Sequence, residues 1–250
     1  MPLAADVEII ARGPVRLRWH AGPPPPLDAV QHRAVDDIWV HGRARLGEAL
    51  YDAPILIYQD HEIAGDLTTL HGVYQPYRYY YAQCRSEGLN CGVEPIGVSG
   101  LMVLCDSGTR AVVLGRRGTT VAQYPGRWEC VPSGGVDDAY ACPDGTVDFA
   151  AMLLHEFEEE TCLPAEHVRR VTPFAVIYDR VARTYDICCG LEVGTGRDEL
   201  LGAMRHSDEY TEVRWVAQQE LDDCLRQLGS QLIPLSKAIL ELYHETDRPT

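Results

Sequence analysis

The stretch WECVPSGGVDDAYACPDGTVDFAAMLLHEFEEETCLP, residues 128–164, decides the fold of this chain. It begins as a short apolar strand, passes through a turn with two adjacent glycines and continues as a helix. In that helix Glu156, Glu159 and Glu160 stand at i, i+3 and i+4, a spacing that projects their carboxylates from one face. The opposite flank carries a mostly apolar stripe of Ala150, Leu153, Leu154, Phe157 and Thr161. The pattern predicts a helix that packs on a sheet through one side and presents acids on the other.

Three carboxylates on one helical face repel one another, which raises their pKa values and weakens the helix. A hard divalent cation such as Mg2+, whose preferred ligands are oxygens, relieves that repulsion. The alternative is an ordinary solvated acidic face, which the spacing alone does not exclude. Strand, glycine turn and acidic helix follow one another here, and this order favours a metal site.

The same segment resembles the Nudix box, in which a glycine precedes a helix carrying Arg-Glu-apolar-x-Glu-Glu-x-Gly-apolar. The matching residues are HEFEEETCL, from His155 to Leu163, and the lead-in WECVP is also similar to that family. His155 replaces the family's arginine, so the brace on the glutamates becomes pH-dependent. Cys162 replaces its glycine, and a helix ending other than a left-handed cap is therefore expected. Val147 stands where the family has a glutamate.

The turn between strand and helix is longer than in the family. Residues 136–148 contain Pro143-Asp144-Gly145 and read as an inserted loop beside the site. Such a loop would shape what binds there.

A second resemblance lies upstream. The run VDDIWVHGRARLGEALYDAPILIY, residues 35–58, is similar to the N-terminal part of eukaryotic Nudix pyrophosphatases that act on UDP-sugars. Together the two resemblances imply an α+β fold, a Nudix-like α/β/α sandwich with a mixed sheet and an N-terminal accessory β-rich element. They divide the chain into an accessory region, residues 1–94, and a Nudix hydrolase domain, residues 95–250.

The implied chemistry is metal-assisted hydrolysis of a diphosphate, with Mg2+, or alternatively Mn2+, as cofactor. The resemblance assigns the metal to Glu156, Glu159 and Glu160, and gives Glu156 the role of ligand or base. Catalysis is assigned to Glu156, Glu159 and a late-loop acid, for which Glu209 is our choice. Glu212 is the other candidate, and a solvated loop carboxylate is the simpler explanation for each.

Three arginines lie just before the box: Arg116, Arg117 and Arg127. Guanidinium groups suit bidentate contacts with phosphate, so these residues are predicted to bind substrate. The alternative is a basic strand end with no ligand.

Three functions remain open. The first is hydrolysis of a UDP-sugar to UMP and sugar 1-phosphate. The second keeps the reaction but takes ADP-ribose or another dinucleotide, and the third is a Nudix-fold nucleotide-binding module without turnover. Retention of the three box glutamates argues against the third, whereas His155, Cys162 and Val147 argue for it.

Composition narrows the classes of partner. The chain has 250 residues, 46% of them hydrophobic, enough for one sizeable core. Its net charge of −15 argues against a general nucleic-acid binder. Nine cysteines without a Cys-x2-Cys pair read as reduced thiols. Neither a signal peptide nor a membrane-spanning segment is expected. A cytoplasmic protein with a small-molecule partner is expected, oligomeric or not.

Periodicity predicts the remaining elements. The tyrosines between Tyr74 and Tyr81 would either stack on a base or pack in the core. A polar loop is expected over residues 198–212, and a hairpin over residues 7–19. Strands are expected at 55–58, 68 onward, 96–104, 110–116, 171–179, 184–193 and 213–216, and helices at 28–46, from 219 and at 234–244.

Overall fold

A computed structural model describes residues 6–106, 108–119, 121, 123–207 and 209–246. The strands are β1 (Val7–Arg12), β2 (Val15–Trp19), β3 (Pro54–Ala64), β4 (Leu67–Pro76), β5 (Ile96–Asp106), β6 (Thr109–Arg117), β7 (Trp128–Cys130), β8 (Ser133–Gly135), β9 (Val168–Asp179), β10 (Thr184–Val193) and β11 (Tyr210–Ala217). The α-helices are α1 (Ala29–Leu46), α2 (Tyr77–Arg85), α3 (Phe149–Thr161), α4 (Arg197–Ala203), α5 (Leu221–Leu228) and α6 (Pro234–Thr246). The tyrosine-rich segment thus forms α2.

A large mixed sheet organises these elements. Its main path runs β1-β9-β10-β5-β6-β11, with β7 paired to β6 and β8 paired to β5. In this sheet the β10–β5 pair is parallel and all the other strand pairs are antiparallel. A smaller sheet has the order β2-β4-β3. The α+β class and the mixed sheet expected from the sequence are confirmed.

The large sheet splits near its centre. β5 and β6 pair with each other only between Val103–Asp106 and Thr109–Val112. Beyond that point β5 pairs with β8, and β6 pairs with β7. The two middle strands therefore diverge, and the short strands on either side of Val131-Pro132 line the opening.

Helices and the smaller sheet cover the two faces of the large sheet. On one face, buried Met152, Leu153 and Phe157 of α3 share a cluster with Leu17, Leu56 and Leu70 of the smaller sheet. On the other face, α5 and α6 supply buried residues that include Leu221, Leu228 and Ile239. The first of these clusters therefore joins residues from both sides of position 94.

The hairpin expected near the N-terminus is wrong. β1 pairs antiparallel with β9 in the large sheet, whereas β2 pairs parallel with β4 in the smaller one. Gly13 sits between them at φ +114, and its N–H donates to the carbonyl of Phe174. Alternating residues predict a strand but not its partner, because side-chain period is the same in every sheet.

The polar loop expected over residues 198–212 is also wrong. It contains most of α4 and the beginning of β11. Leu200 and Met204, four positions apart, are fully buried in the core and hold this segment against it. The other predicted strands and helices form, with boundaries that differ by a few residues. Within the described residues, no helix combines the length and apolarity that crossing a membrane requires.

Candidate functional site

Helix α3 carries the acidic site, and both of its ends are fixed locally. At its start the side chain of Asp148 accepts from the N–H of Ala151 at 2.9 Å, which satisfies one free helical donor. At its end Cys162 takes a left-handed conformation, φ 58 and ψ 23, and donates its N–H to the carbonyl of Glu158. The expectation of a different ending is wrong: the sequence lacks the glycine, but the backbone keeps the geometry.

Strand β8 passes very close to this helix. A Cβ built on Gly134 would stand 2.0 Å from Oε1 of Glu156 and 2.7 Å from Cε of Met152. At Gly135 a Cβ would meet nothing within 4 Å. Only the first glycine of the pair is therefore required for the contact between strand and helix.

Glu156 is the electrostatic centre of the site. Its pKa is raised to about 7, first by burial and then by the carboxylates of Glu159, Glu209 and Asp137. Glu209 thus lies within electrostatic reach of the box glutamate, while Glu212 forms an ion pair with Arg116. The structure therefore distinguishes Glu209 from Glu212, which the sequence alone did not.

Glu160 is more deeply held. It is 6% exposed, and it accepts one hydrogen bond from the N–H of Ser133 at 3.0 Å and another from the hydroxyl of Tyr210. Burial, followed by the nearby carboxylate of Glu129, holds its pKa well above the usual range. Each oxygen of this carboxylate already has a protein partner.

Glu159 and His155 lie on the solvent side of α3. The two side chains approach to 3.3 Å across one helical turn, and both are more than half exposed. His155 therefore stands beside Glu159, and Glu159 remains open to solvent.

Each of the three predicted phosphate-binding arginines has a partner inside the protein. Arg117 is paired with buried Glu129, and Arg116 with Glu212. Arg127 donates to the backbone carbonyl of Ser230. Contact between these arginines and phosphate stays a prediction.

The donor set suits a hard divalent cation in its chemistry. Glu156, Glu159 and Glu160 offer only oxygens, and Asp137 and Glu209 bring two further carboxylates to the same place. A carboxylate has about four lone-pair sites, so the two hydrogen bonds to Glu160 leave acceptor capacity. As the side chains stand, the described part of the chain contains no group of three His, Cys, Asp or Glu residues arranged to hold a metal. The residues fit the cation by type, and side-chain rotation would have to close the ligand set.

Sequence reasoning missed four residues beside the acids. Glu129 and Tyr210 surround Glu160, Asp137 faces Glu156, and Ser133 bonds Glu160. A charged residue inside the apolar run WECV was the available signal for Glu129, because an unpaired acid is costly in a buried strand. The other three carry no signal in local sequence.

Comparison with known proteins gives distant likenesses. No protein-family model matches the sequence, and no curated protein matches it. A mutT/nudix family protein from Listeria innocua is 21% identical, with 61% of this chain and 96% of that chain covered and a TM-score of 0.39. The NUDIX domain of Shewanella oneidensis NrtR, solved with ADP ribose, is 16% identical over 61% and 88% of the two chains, with a TM-score of 0.41. A C. elegans Ap4A hydrolase in a binary complex is 13% identical over 61% and 98%, with a TM-score of 0.36. At such identities and scores, these likenesses assign neither a family nor a substrate to this chain.

Proposed function

We propose that the protein is a Nudix-type hydrolase that uses Mg2+ or Mn2+ to cleave the diphosphate of a nucleoside diphosphate derivative. The substrate we assign is a UDP-sugar, and the products are UMP and a sugar 1-phosphate. Both the metal and the UDP-sugar come from the resemblance of residues 35–58 and 155–163 to that family.

One observation carries the proposal: acids on three separate segments lie within electrostatic reach of Glu156 and help to raise its pKa. Glu159 lies on the same helix, Asp137 on the inserted loop and Glu209 just before β11. Like charges collected in a partly buried place destabilise the folded state, so a protein retains them where a cation or a proton transfer uses them. Because Gly134 lacks a Cβ, the Glu156 side chain has room to pack against β8.

The reaction is the addition of water across a phosphorus–oxygen bond. The water oxygen bonds to one phosphorus, and the bond from that phosphorus to the bridging oxygen breaks, which leaves two phosphate monoesters. Without a cation, burial and the neighbouring acids raise the pKa of Glu156 to about 7. The resemblance gives Glu156 one of two roles, cation ligand or proton acceptor from the water. A bound divalent cation supplies charge neutralisation of the diphosphate and lowers the pKa of coordinated water. Glu156, Glu159 and Glu160 would hold that cation.

The test is a screen of nucleoside diphosphate derivatives with Mg2+ or Mn2+, in which products are identified by mass. UMP and glucose 1-phosphate are expected from UDP-glucose, and EDTA should abolish their release. Glu160→Gln should lose turnover and keep its fold, whereas Glu158→Gln, an exposed acid on the same helix, should keep activity. Near-normal activity in Glu160→Gln, or no hydrolysis of any derivative, would count against the proposal.

A specific observation favours a second function, nucleotide binding without turnover. Both oxygens of Glu160 are hydrogen-bonded by Ser133 and Tyr210, which stabilises the side chain in a position that does not need a metal. Saturable binding of a nucleotide in the presence of Mg2+, with no product detected, would support this function.

A further inference from the structure

The split in the large sheet contains a cavity of about 280 Å³. It lies between the tyrosines of α2 and the diverging strands, and its lining includes Tyr80, Tyr81, Ser99, Glu129, Asp179 and Asp186. Pockets for drug-sized ligands span about 300–1,000 Å³. This cavity is therefore suited to one ring of a substrate and not to a whole nucleoside diphosphate sugar.

The walls of the cavity are rich in acidic acceptors. Glu129, Asp179 and Asp186 are all buried. Asp186 accepts hydrogen bonds from the hydroxyls of Ser99 at 3.0 Å and Thr184 at 2.9 Å, so each of its oxygens keeps acceptor capacity. Burial raises the pKa of Asp186 to about 6, and its carboxylate is ionised at neutral pH.

The strong donors around the cavity are already used. The guanidinium of Arg117 is paired with Glu129, and the amide of Gln123 donates to the hydroxyl of Tyr80. Tyr80 in turn donates to the carbonyl of Ala182 at 2.8 Å, and the hydroxyl of Tyr124 donates to Asp179. A phosphate, which is anionic and only accepts, would meet repulsion here. A ring hydroxyl would find an acceptor in Asp186, each of whose oxygens accepts only one hydrogen bond.

The cavity also reaches the acidic site. Ser133, Gly134 and Gly135 line it. The N–H of Ser133 bonds Glu160, and Gly134 is packed against Glu156. None of the box glutamates lines the cavity itself, so a ring in it would lie beside β8, whose Ser133 and Gly134 contact Glu160 and Glu156.

We propose that this cavity binds the sugar ring of the substrate, with Asp186 as the specificity-determining residue that accepts hydrogen bonds from sugar hydroxyls. The tyrosines of α2 cover the apolar faces of the ring. The identification of the ligand as the sugar of a UDP-sugar rests on the proposed function. The chemistry of the cavity by itself disfavours an anion and offers an acceptor to a ring hydroxyl.

Calorimetric binding of glucose 1-phosphate and of UMP, with Mg2+ present, tests this on the full chain. Asp186→Asn should weaken glucose 1-phosphate binding about tenfold, because a charged acceptor is lost, and should leave UMP binding unchanged. Ser99→Ala, a milder change at the same wall, should weaken it severalfold. Asp60→Asn, an exposed acid on β3 outside the cavity lining, is the control and should bind as the unmodified chain does.

Equal losses for glucose 1-phosphate and UMP in Asp186→Asn would overturn the inference, as would unchanged binding of both. Tighter binding of phosphocholine than of glucose 1-phosphate would overturn it too, because the acids would then be selecting a cation. The proposed function is scored separately by hydrolysis of UDP-glucose with Mg2+. If Asp186→Asn selectively loses glucose 1-phosphate binding but the unmodified chain hydrolyses nothing, the cavity assignment is supported and the proposed hydrolase function is refuted. If the unmodified chain hydrolyses UDP-glucose but Asp186→Asn shows no selective loss, the hydrolase function is supported and the cavity assignment is refuted.

Discussion

Cys162 holds a backbone conformation that glycine adopts without steric cost. Its φ of 58 places it in the left-handed region, where a Cβ costs about 1 kcal/mol or more. The cap hydrogen bond to Glu158 depends on that conformation. Cys162 therefore places a small backbone strain at the end of α3, and a glycine at this position would remove it.

We predict that Cys162→Gly raises the free energy of unfolding by about 1 kcal/mol. Cys162→Ala is the control, since alanine keeps the Cβ and should bring no such gain. Urea unfolding followed by circular dichroism gives both values. Equal stability of the two variants would show that the left-handed cap costs nothing here.

Asp186 illustrates how a buried acid costs stability as pH rises. Its folded-state pKa, about 6, lies above the ordinary value of 3.8, so folding disfavours the ionised form. The penalty is absent below pH 3.8, grows as pH rises and is complete above about 6. The folded state is therefore most stable when Asp186 is protonated, whereas at neutral pH Asp186 is ionised and is the stronger acceptor for a sugar hydroxyl.

We predict that Asp186→Asn is more stable than the unmodified chain at pH 8, by on the order of 2–3 kcal/mol, at 1.36 kcal/mol per pKa unit. The two proteins should converge toward pH 4. Thermal unfolding at a series of pH values measures the difference. A stability gain at pH 8 combined with loss of sugar binding would identify an acid retained for function.

At the scale of elements, the approach of β8 to α3 depends on one glycine. Gly134→Ala would drive a Cβ into Glu156 and Met152, whereas Gly135→Ala meets open space. We predict that the first substitution lowers both stability and Mg2+-dependent turnover, and that the second changes neither appreciably. Melting temperature and UMP release provide the measurements. Comparable turnover in the two variants would mean that the strand can move without disturbing Glu156.

The ion pair of Arg117 with Glu129 joins β6 to β7 beneath the site. Burial raises the pKa of the Glu129 carboxyl even with the guanidinium beside it. Removal of one partner leaves a buried charge without compensation, and Arg117→Ala should cost about 3–5 kcal/mol of folding free energy. Arg116→Ala is the matched control, since its pair with Glu212 is 39% and 54% exposed, and it should cost less than about 1 kcal/mol.

Denaturant unfolding, together with KM for UDP-glucose, separates the two roles considered for these arginines. A structural role of Arg117 predicts lost stability. A stable Arg117→Ala protein with a raised KM would instead establish the phosphate contact predicted from the sequence.

At the scale of the whole molecule, the two regions predicted from the sequence share one core. Leu17, Leu56 and Leu70 are at most 1% exposed and pack with the α3 side of the large sheet. β1 pairs along β9, which would otherwise present an open strand edge. The domain boundary at residue 94 stays a prediction. Whether residues 95–250 fold independently of residues 1–94 can be tested.

We predict that residues 95–250 alone do not fold cooperatively. The fragment lacks three core leucines and β1, the strand that covers the outer edge of β9. Dye binding to exposed apolar surface and a broad thermal transition would show this. Co-expression with residues 1–94 should restore a soluble, cooperative complex. A sharp transition in the isolated fragment would establish an autonomous domain.

The sequence by itself determined the elements with strong local periodicity. The spacing of Glu156, Glu159 and Glu160 opposite an apolar stripe was sufficient for α3. The α+β class came from the resemblance of residues 35–58 and 155–163 to the Nudix family. The periodicity of a helix or strand depends on residues close together in the chain, so it can be recognised from the local sequence.

Tertiary structure alone decided which strand β1 meets and where the sheet splits. It also decided that Glu209 lies within electrostatic reach of Glu156 while Glu212 pairs with Arg116. It likewise decided that Arg117 is half-buried and paired with Glu129. Strand register and charge pairing across the sheet depend on residues far apart in the chain, and the side-chain period that signals a strand is identical for every partner. Burial and distance, which set the pKa of each acid in this site, exist only after those partners are chosen.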